Sequence, residues 1–201
     1  VFEECAARAR EEGADLLVGL GGGSSLDVAK VAAVLVRQGG GILDYAGIGK
    51  VPGPGLPTIL VPTTAGTGSE VTPIAVVSDT AEHLKKGVVS PYLHADVALV
   101  DPELMLGLPP AVTAFTGMDA LTHAIEAYTN KHAHPFVDTF ALEAVRLIGA
   151  NLRRAVGCGE DLAARINMAM GSLYGGMCLG PVNTAAVHAL AYPLGGTFEV
   201  P

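Results

Sequence analysis

Asp119 and His123 stand four residues apart in the run Thr116-Gly117-Met118-Asp119-Ala120-Leu121-Thr122-His123-Ala124-Ile125-Glu126-Ala127-Tyr128. On a helix that spacing sets both side chains on one face, one turn apart, where a carboxylate oxygen and an imidazole nitrogen can reach one metal ion. A second imidazole, His188, lies in the apolar segment Ala186-Val187-His188-Ala189-Leu190-Ala191-Tyr192-Pro193-Leu194-Gly195-Gly196. Far upstream, Gly19-Leu20-Gly21-Gly22-Gly23-Ser24-Ser25-Leu26-Asp27-Val28-Ala29-Lys30 has the make-up of a phosphate-cradling turn. A candidate nucleotide loop followed by candidate metal ligands suggests a metal-dependent dehydrogenase.

Each feature also has a purely structural reading. The glycine turn follows a strand-like run and opens a helix, the context in which bare backbone N–H groups and a helix N-terminus attract a pyrophosphate. Gly19 and Gly21 fit the G-x-G-x-x-G spacing, but Ser24 takes the third glycine position. The alternative is a tight turn with Ser24 or Ser25 as N-cap. Val61-Pro62-Thr63-Thr64-Ala65-Gly66-Thr67-Gly68-Ser69-Glu70 is a second loop after a strand, able to bind a diphosphate or ribose, or only to satisfy its own turn. Thr116-x-x-Asp119 resembles a capping box, in which the carboxylate would serve backbone amides alone. Set among Leu121, Ala124 and Ile125, however, a buried unpaired carboxylate is costly, and a cation would relieve that cost. His83, His94, His132 and His134 sit in polar or Pro-adjacent loops and read as solvated.

The elements that must hold these residues fall into two groups. The first half alternates helix and strand. Its helices are residues 2–12, closed by Gly13, and 25–38; its strands are 15–20, 57–62, 74–78 and 98–101. Such alternation predicts a parallel or mixed sheet with helices on both faces. After Asp101-Pro102 the pattern turns helical, with helices expected over 111–130, 135–155, 161–176 and 183–194. A boundary near Leu108-Pro109-Pro110 divides a partial α/β dinucleotide-binding domain, 1–108, from a partial all-helical metal-binding domain, 109–201. A cleft between such parts is a common ligand site. The chain opens at Val1 without a methionine and stops at Pro201 beside a site helix, so both ends read as cuts through a longer protein.

Composition limits the alternatives. The 201 residues are 50% hydrophobic with only 5% aromatics, which makes an Ala/Val/Leu core. A net charge of −8 without a Lys/Arg cluster argues against nucleic-acid or anionic-membrane partners. Residues 166–198 lack Asp, Glu, Lys and Arg, yet Pro181, Pro193, Asn167, Asn183 and several glycines break any apolar run of the ~20 residues needed to span a bilayer. Three cysteines without CxxC spacing suit a reduced, cytoplasmic protein better than a disulfide framework.

The motifs together resemble the iron-containing (group III) alcohol dehydrogenase family. The likeness runs in one order from the glycine turn through the 62–70 loop, Asp101-Pro102 and the 116–126 run to His188-Ala189-Leu190-Ala191-Tyr192-Pro193-Leu194-Gly195-Gly196. It implies a dehydroquinate-synthase-like fold, α/β plus all-α, and an NAD- or NADP-dependent oxidoreductase acting on a small alcohol or carbonyl substrate. Asp119, His123 and His188 match three of the family's four ligands for Fe2+ or Zn2+, and form the catalytic centre. The fourth, a histidine, would be the residue after Pro201. Gly22, Gly23 and Ser24 match the pyrophosphate loop, Thr63, Thr67 and Thr72 the nicotinamide-side contacts, and Lys85 a lysine near the cofactor ribose. Some members relay a proton through a histidine one turn after the position of His188. Tyr192 stands there instead, and a phenol, ionising near pH ~10 in water, is a poor base at neutral pH. A homo-oligomer is implied for the intact protein. Two rival readings are a metal-dependent, nucleotide-using lyase or cyclase on the same scaffold, which the 117–123 string disfavours, and an inactive fragment.

Overall fold

A computed structural model describes residues 1–79 and 84–198, and groups the chain into two compact units. The first comprises residues 1–62 and 69–99, the second residues 63–68 and 100–201. The first unit is α/β and the second helical, as the sequence leads one to expect.

Helix α2 (Gly23–Gln38) is the axis of the first unit, and nearly every residue from Leu26 to Leu35 is buried. Strands β1 (Leu17–Gly21), β3 (Thr58–Pro62) and β6 (Val97–Ala98) make a parallel sheet in the order β1-β3-β6, with Leu17 opposite Thr58 and Ile59 opposite Val97. Leu26 and Ala29 pack on Leu60 against this sheet. Gly19 allows that approach, because a Cβ there would lie 2.8 Å from both Ala29 Cβ and Leu60 Cδ2. The α2 residues Val31, Val34 and Leu35 meet Ala75, Val77 and Val88 of a second sheet and Ala6 of α1 (Phe2–Glu11). That sheet has the order β2-β5-β4, from β2 (Gly47–Ile48), β4 (Ile74–Asp79) and β5 (Leu84–Val89), with β4 and β5 antiparallel.

The expectation of one sheet covered by helices on both sides therefore needs correction. The described residues form two small sheets, and Val18, Leu20 and Val97 are exposed on the β1-β3-β6 sheet. Strand β5 has no apolar alternation, because Lys85-Lys86-Gly87 separates Leu84 from Val88-Val89. Neither serine caps α2. The N-cap is Gly22, in extended backbone and with no side-chain cap bond. Gly13 does follow α1 with φ +64°, as a closing glycine should.

The second unit packs α3 (Pro110–Thr129), α4 (Pro135–Gly157), α5 (Leu162–Leu179) and α6 (Ala186–Phe198). Small residues face inward: Ala120 and Ala124 of α3, Ala144 of α4 and Ala169 of α5 are buried in one cluster with Ile148 and Met168. Helix α3 begins at Pro110, whose missing N–H costs nothing in the first turn. Thr116 is thus not a helix entry; its hydroxyl donates to Val112 O at 2.9 Å in mid-helix. Among the described residues no helix is long and apolar enough to cross a membrane.

One ionic group holds the first unit's interior. The Lys30 ammonium is fully buried and donates to the carbonyls of Ser69 (2.9 Å), Thr72 (3.3 Å) and Ile74 (2.5 Å), with Asp27 Oδ1 at 3.6 Å. Asp27 in turn accepts from Ser69 Oγ at 2.6 Å and from Val76 N at 2.9 Å. Removing one member of such a set strands the others, so Lys30→Met should destabilise the intact protein by about 3–5 kcal/mol, read from urea midpoints. Burial, opposed by Asp27, lowers the Lys30 pKa from 10.5 to about 8. Between those values the unfolded chain keeps a proton that the folded protein has released, so stability rises with pH there. Wild type should gain about 3 kcal/mol on Lys30→Met across that window. A constant gap between pH 7.5 and 10 would contradict this account of the lysine.

Candidate metal centre

Helix α3 carries Asp119, His123 and Glu126 at i, i+4 and i+7, a single stripe on its surface. His123 and Glu126 are buried, while the Asp119 side chain is 37% exposed. Helix α6 brings His188, buried at 7%, to the same place. The imidazoles of His123 and His188 stack with ring centroids 4.5 Å apart and planes 14° from parallel. Both Nε2 atoms point toward one oxygen: Asp119 Oδ1 lies 3.3 Å from His188 Nε2 and 3.7 Å from His123 Nε2.

One ligand atom from each of the three residues lies within 4.8 Å of the others, making the one metal-competent cluster among the described residues. The donor set is a carboxylate oxygen and imidazole nitrogens, which Fe2+ and Zn2+ accept. Two nitrogen donors directed at a single carboxylate oxygen also leave a need that a cation meets better than a proton. The residues present fit a divalent ion.

Electrostatics separates the two histidines. Burial lowers the His123 pKa, with Asp119 opposing and the charge of His188 reinforcing. Its Nδ1 is buried with no hydrogen-bond partner, although the Gly66 backbone still favours the charged ring. Burial alone would lower His188 too, but hydrogen bonds to Asp119 and Glu126 outweigh it and raise the pKa.

Glu126 escaped the sequence reading. Its carboxylate accepts from His188 Nδ1 at 2.5 Å, from Val187 N at 2.6 Å and from Ala185 N at 3.0 Å. Burial raises its pKa, but these three donors outweigh burial and hold it below the usual range. The signal was available, because Glu126 continues the 119–123 stripe by another turn.

The loop at 63–68 belongs to the helical unit. Ala65 joins the α3–α5 core, and Gly68, at φ +61°, passes so close to α5 that a Cβ would lie 2.5 Å from Gly176 Cα. Thr63 and Thr67 lie on this loop, both half-buried. In the α/β unit, Gly22 joins β1 to α2 as its N-cap, Gly23 and Ser24 open the helix, and Lys85 is exposed on β5. Thr72 is buried, its hydroxyl 3.4 Å from Lys30 Nζ and 3.3 Å from Ile74 O. His94, His132 and His134 are exposed, and His83 lies outside the described residues. Tyr192 stands edge-on to His188, with centroids 6.1 Å apart.

One unit is helical and carries a carboxylate–imidazole cluster; the other is α/β and opens a helix after a glycine turn. The chain belongs to the iron-containing alcohol dehydrogenase family: residues 1–102 match "Iron-containing alcohol dehydrogenase" and residues 113–201 match "Fe-containing alcohol dehydrogenase family, C-terminal". It is 52% identical over 201 residues to long-chain-alcohol dehydrogenase 1 of Geobacillus thermodenitrificans (strain NG80-2), covering 98% of this chain and 50% of that protein. The solved 1,3-propanediol oxidoreductase superposes with a TM-score of 0.96 at 44% identity, covering 100% of this chain and 52% of the other. Sulfoacetaldehyde reductase from Bifidobacterium kashiwanohense, solved in complex with NAD+, gives a TM-score of 0.94 at 38% identity, with coverage of 100% and 54%. The chain thus spans about half the length of the relatives it matches.

If the cluster binds a metal, the intact His123→Ala protein should lose it. Elemental analysis after purification and dialysis should show near-stoichiometric divalent metal in wild type and little in the variant. Equal metal content in the two proteins would rule His123 out as a ligand.

Proposed function

We propose that the intact protein is an NAD(P)-dependent alcohol dehydrogenase that requires a divalent metal and interconverts a small alcohol with its aldehyde or ketone. The observation that carries this reading is the convergence of Asp119, His123 and His188 within 4.8 Å in a member of this family. Relatives named as alcohol dehydrogenases and aldehyde reductases, one of them solved with NAD+, support the same chemistry. The lyase or cyclase alternative has no support among them.

Asp119, His123 and His188 would hold the metal and act as the catalytic centre. When bound, the ion supplies Lewis acidity at the alcohol oxygen, and the nicotinamide supplies a hydride acceptor. The protein's own residues do the rest. Burial of His123 and His188 keeps water away from their nitrogen donors, and Asp119, the most exposed of the three, leaves the cluster open on its side. Gly22 and Gly23 would offer backbone N–H groups to a pyrophosphate at the start of α2, where the helix dipole favours negative charge, and Ser24 would add its hydroxyl. Thr63 and Thr67 are the proposed nicotinamide-side contacts and Lys85 the proposed ribose contact. Thr72, its hydroxyl turned toward Lys30, would act by shaping its segment. In domain terms we assign residues 1–108 to the partial cofactor-binding domain and residues 109–201 to the partial metal-binding domain. The free thiols of Cys5, Cys158 and Cys178 support a cytoplasmic location. A homo-oligomer belongs to the same reading.

The direct test is turnover. Purified intact protein reconstituted with Fe2+ or Zn2+ should reduce NAD+ or NADP+ when given primary alcohols or diols, and metal-free protein should not. No nicotinamide reduction across such a panel, with metal bound, would refute the assignment. Gly22 has φ −76° and ψ 179°, a backbone open to any residue, so Gly22→Val tests approach to the turn rather than strain. It should raise the Kd for NADH at least tenfold with the fold intact by circular dichroism. An unchanged affinity would make the turn merely structural.

Tyr192 has its ring at the edge of His188 and is 38% exposed. Tyr192→Phe should keep most of kcat with a modest change in KM. A fall in kcat of ~100-fold or more, the scale of lost acid–base catalysis, would make Tyr192 the proton relay.

A further inference from the structure

We infer that Glu126 is a positioning residue that fixes the tautomer and orientation of His188, so that the Nε2 lone pair is presented to a metal ion beside Asp119. The inference rests on the proposed metal centre and goes beyond it, since Glu126 is too enclosed by its own partners to be a ligand. Its two oxygens take three N–H donors: Oε1 accepts from Val187 N, and Oε2 accepts from Ala185 N and from His188 Nδ1. At 4% exposure the side chain has little solvent to turn toward.

The arrangement solves two problems with one carboxylate. Helix α6 starts at Ala186, and its opening N–H groups have no partner within the helix. Glu126 reaches across from α3 to satisfy the amides of Ala185 and Val187, which sets where α6 begins. The same carboxylate can only accept, so the His188 nitrogen it touches must carry a proton. In a neutral imidazole that leaves Nε2 bare, and Nε2 is the atom 3.3 Å from Asp119 Oδ1. A carboxylate behind a ligating imidazole also increases the basicity of the donor nitrogen. Asp119, His123 and Glu126 share one stripe of α3, so a single rigid helix sets two ligands and the group that aims the third.

Glu126→Gln separates this role from mere packing, since it keeps size and one carbonyl oxygen. If the amide oxygen stays with Val187 N, the new NH2 takes the place of Oε2, gives up the bond from Ala185 N and donates to His188 Nδ1. The ring proton must then move to Nε2, the nitrogen the metal needs. In metal-free intact protein, nitrogen-15 spectra of the neutral His188 ring should show the Nδ1–H tautomer in wild type and the Nε2–H tautomer in the variant. Zinc titration of the same samples should show affinity weakened by about 10- to 100-fold in Glu126→Gln. An Nε2–H tautomer in wild type overturns the inference without any variant, and so does equal zinc affinity in two folded proteins. Wild type that shows the Nδ1–H tautomer but takes up no zinc upholds the role of Glu126 and instead refutes the metal centre.

Discussion

A carboxylate buried among helices cannot stand without donors, and Glu126 takes all of its donors from one place, the start of α6. The helical unit is otherwise assembled from alanines, glycines and a few large aliphatics, whose packing is tight but directionless. Apolar burial brings α3, α4 and α5 together without deciding how a further helix begins or which ring nitrogen it turns inward. The three hydrogen bonds to Glu126 decide both. Leaving any one of these donors buried and unpaired would cost roughly 1–3 kcal/mol. That cost makes one start for α6 clearly better than a shifted one, and a shift of a single residue would rotate His188 by about 100° away from Asp119.

The α/β unit solves the same problem with opposite charge. The Lys30 side chain, on α2, is fully buried and gathers carbonyls from the 69–74 segment. Asp27, one turn earlier, collects Ser69 Oγ and Val76 N. The pair ties the helix that opens at the glycine turn to the segment containing Thr72. In both units, hydrophobic burial supplies most of the folding energy, while one charged group surrounded by several hydrogen-bond partners selects the register.

What was legible in the sequence follows from which signals are local. The i, i+4 spacing of Asp119 and His123 is a property of one helix, and it survives into the structure unchanged. His188 was legible as an imidazole in an apolar helix, because burying a histidine needs a reason. The helices of the second unit came within a few residues of their observed limits, since Gly, Pro and apolar periodicity mark them locally. Thr116 misled because a threonine three residues before an acid looks alike at a helix start and in a helix middle, and only Pro110 settles which. The two-sheet arrangement and strand β5 were not legible, because strand pairing is non-local and the lysines of β5 lie on an exposed strand. Glu126 lies on the legible 119–123 stripe, but its partners are about sixty residues away and no periodicity within α3 names them.

The stacked imidazoles explain why the cluster is asymmetric. Two parallel rings 4.5 Å apart cannot both carry a proton charge cheaply in a buried setting. Burial first, and then the charge of His188, favour the neutral form of His123. His188 has a carboxylate at each nitrogen and holds a proton more readily. Without an ion, a proton taken up by the cluster therefore goes first to the ring that two acids face. Metal binding requires that ring to give up a proton from Nε2 while keeping the one on Nδ1. Only a permanent acceptor on the Nδ1 side allows the two protons of one imidazole to be told apart, and the carboxylate of Glu126 is that acceptor.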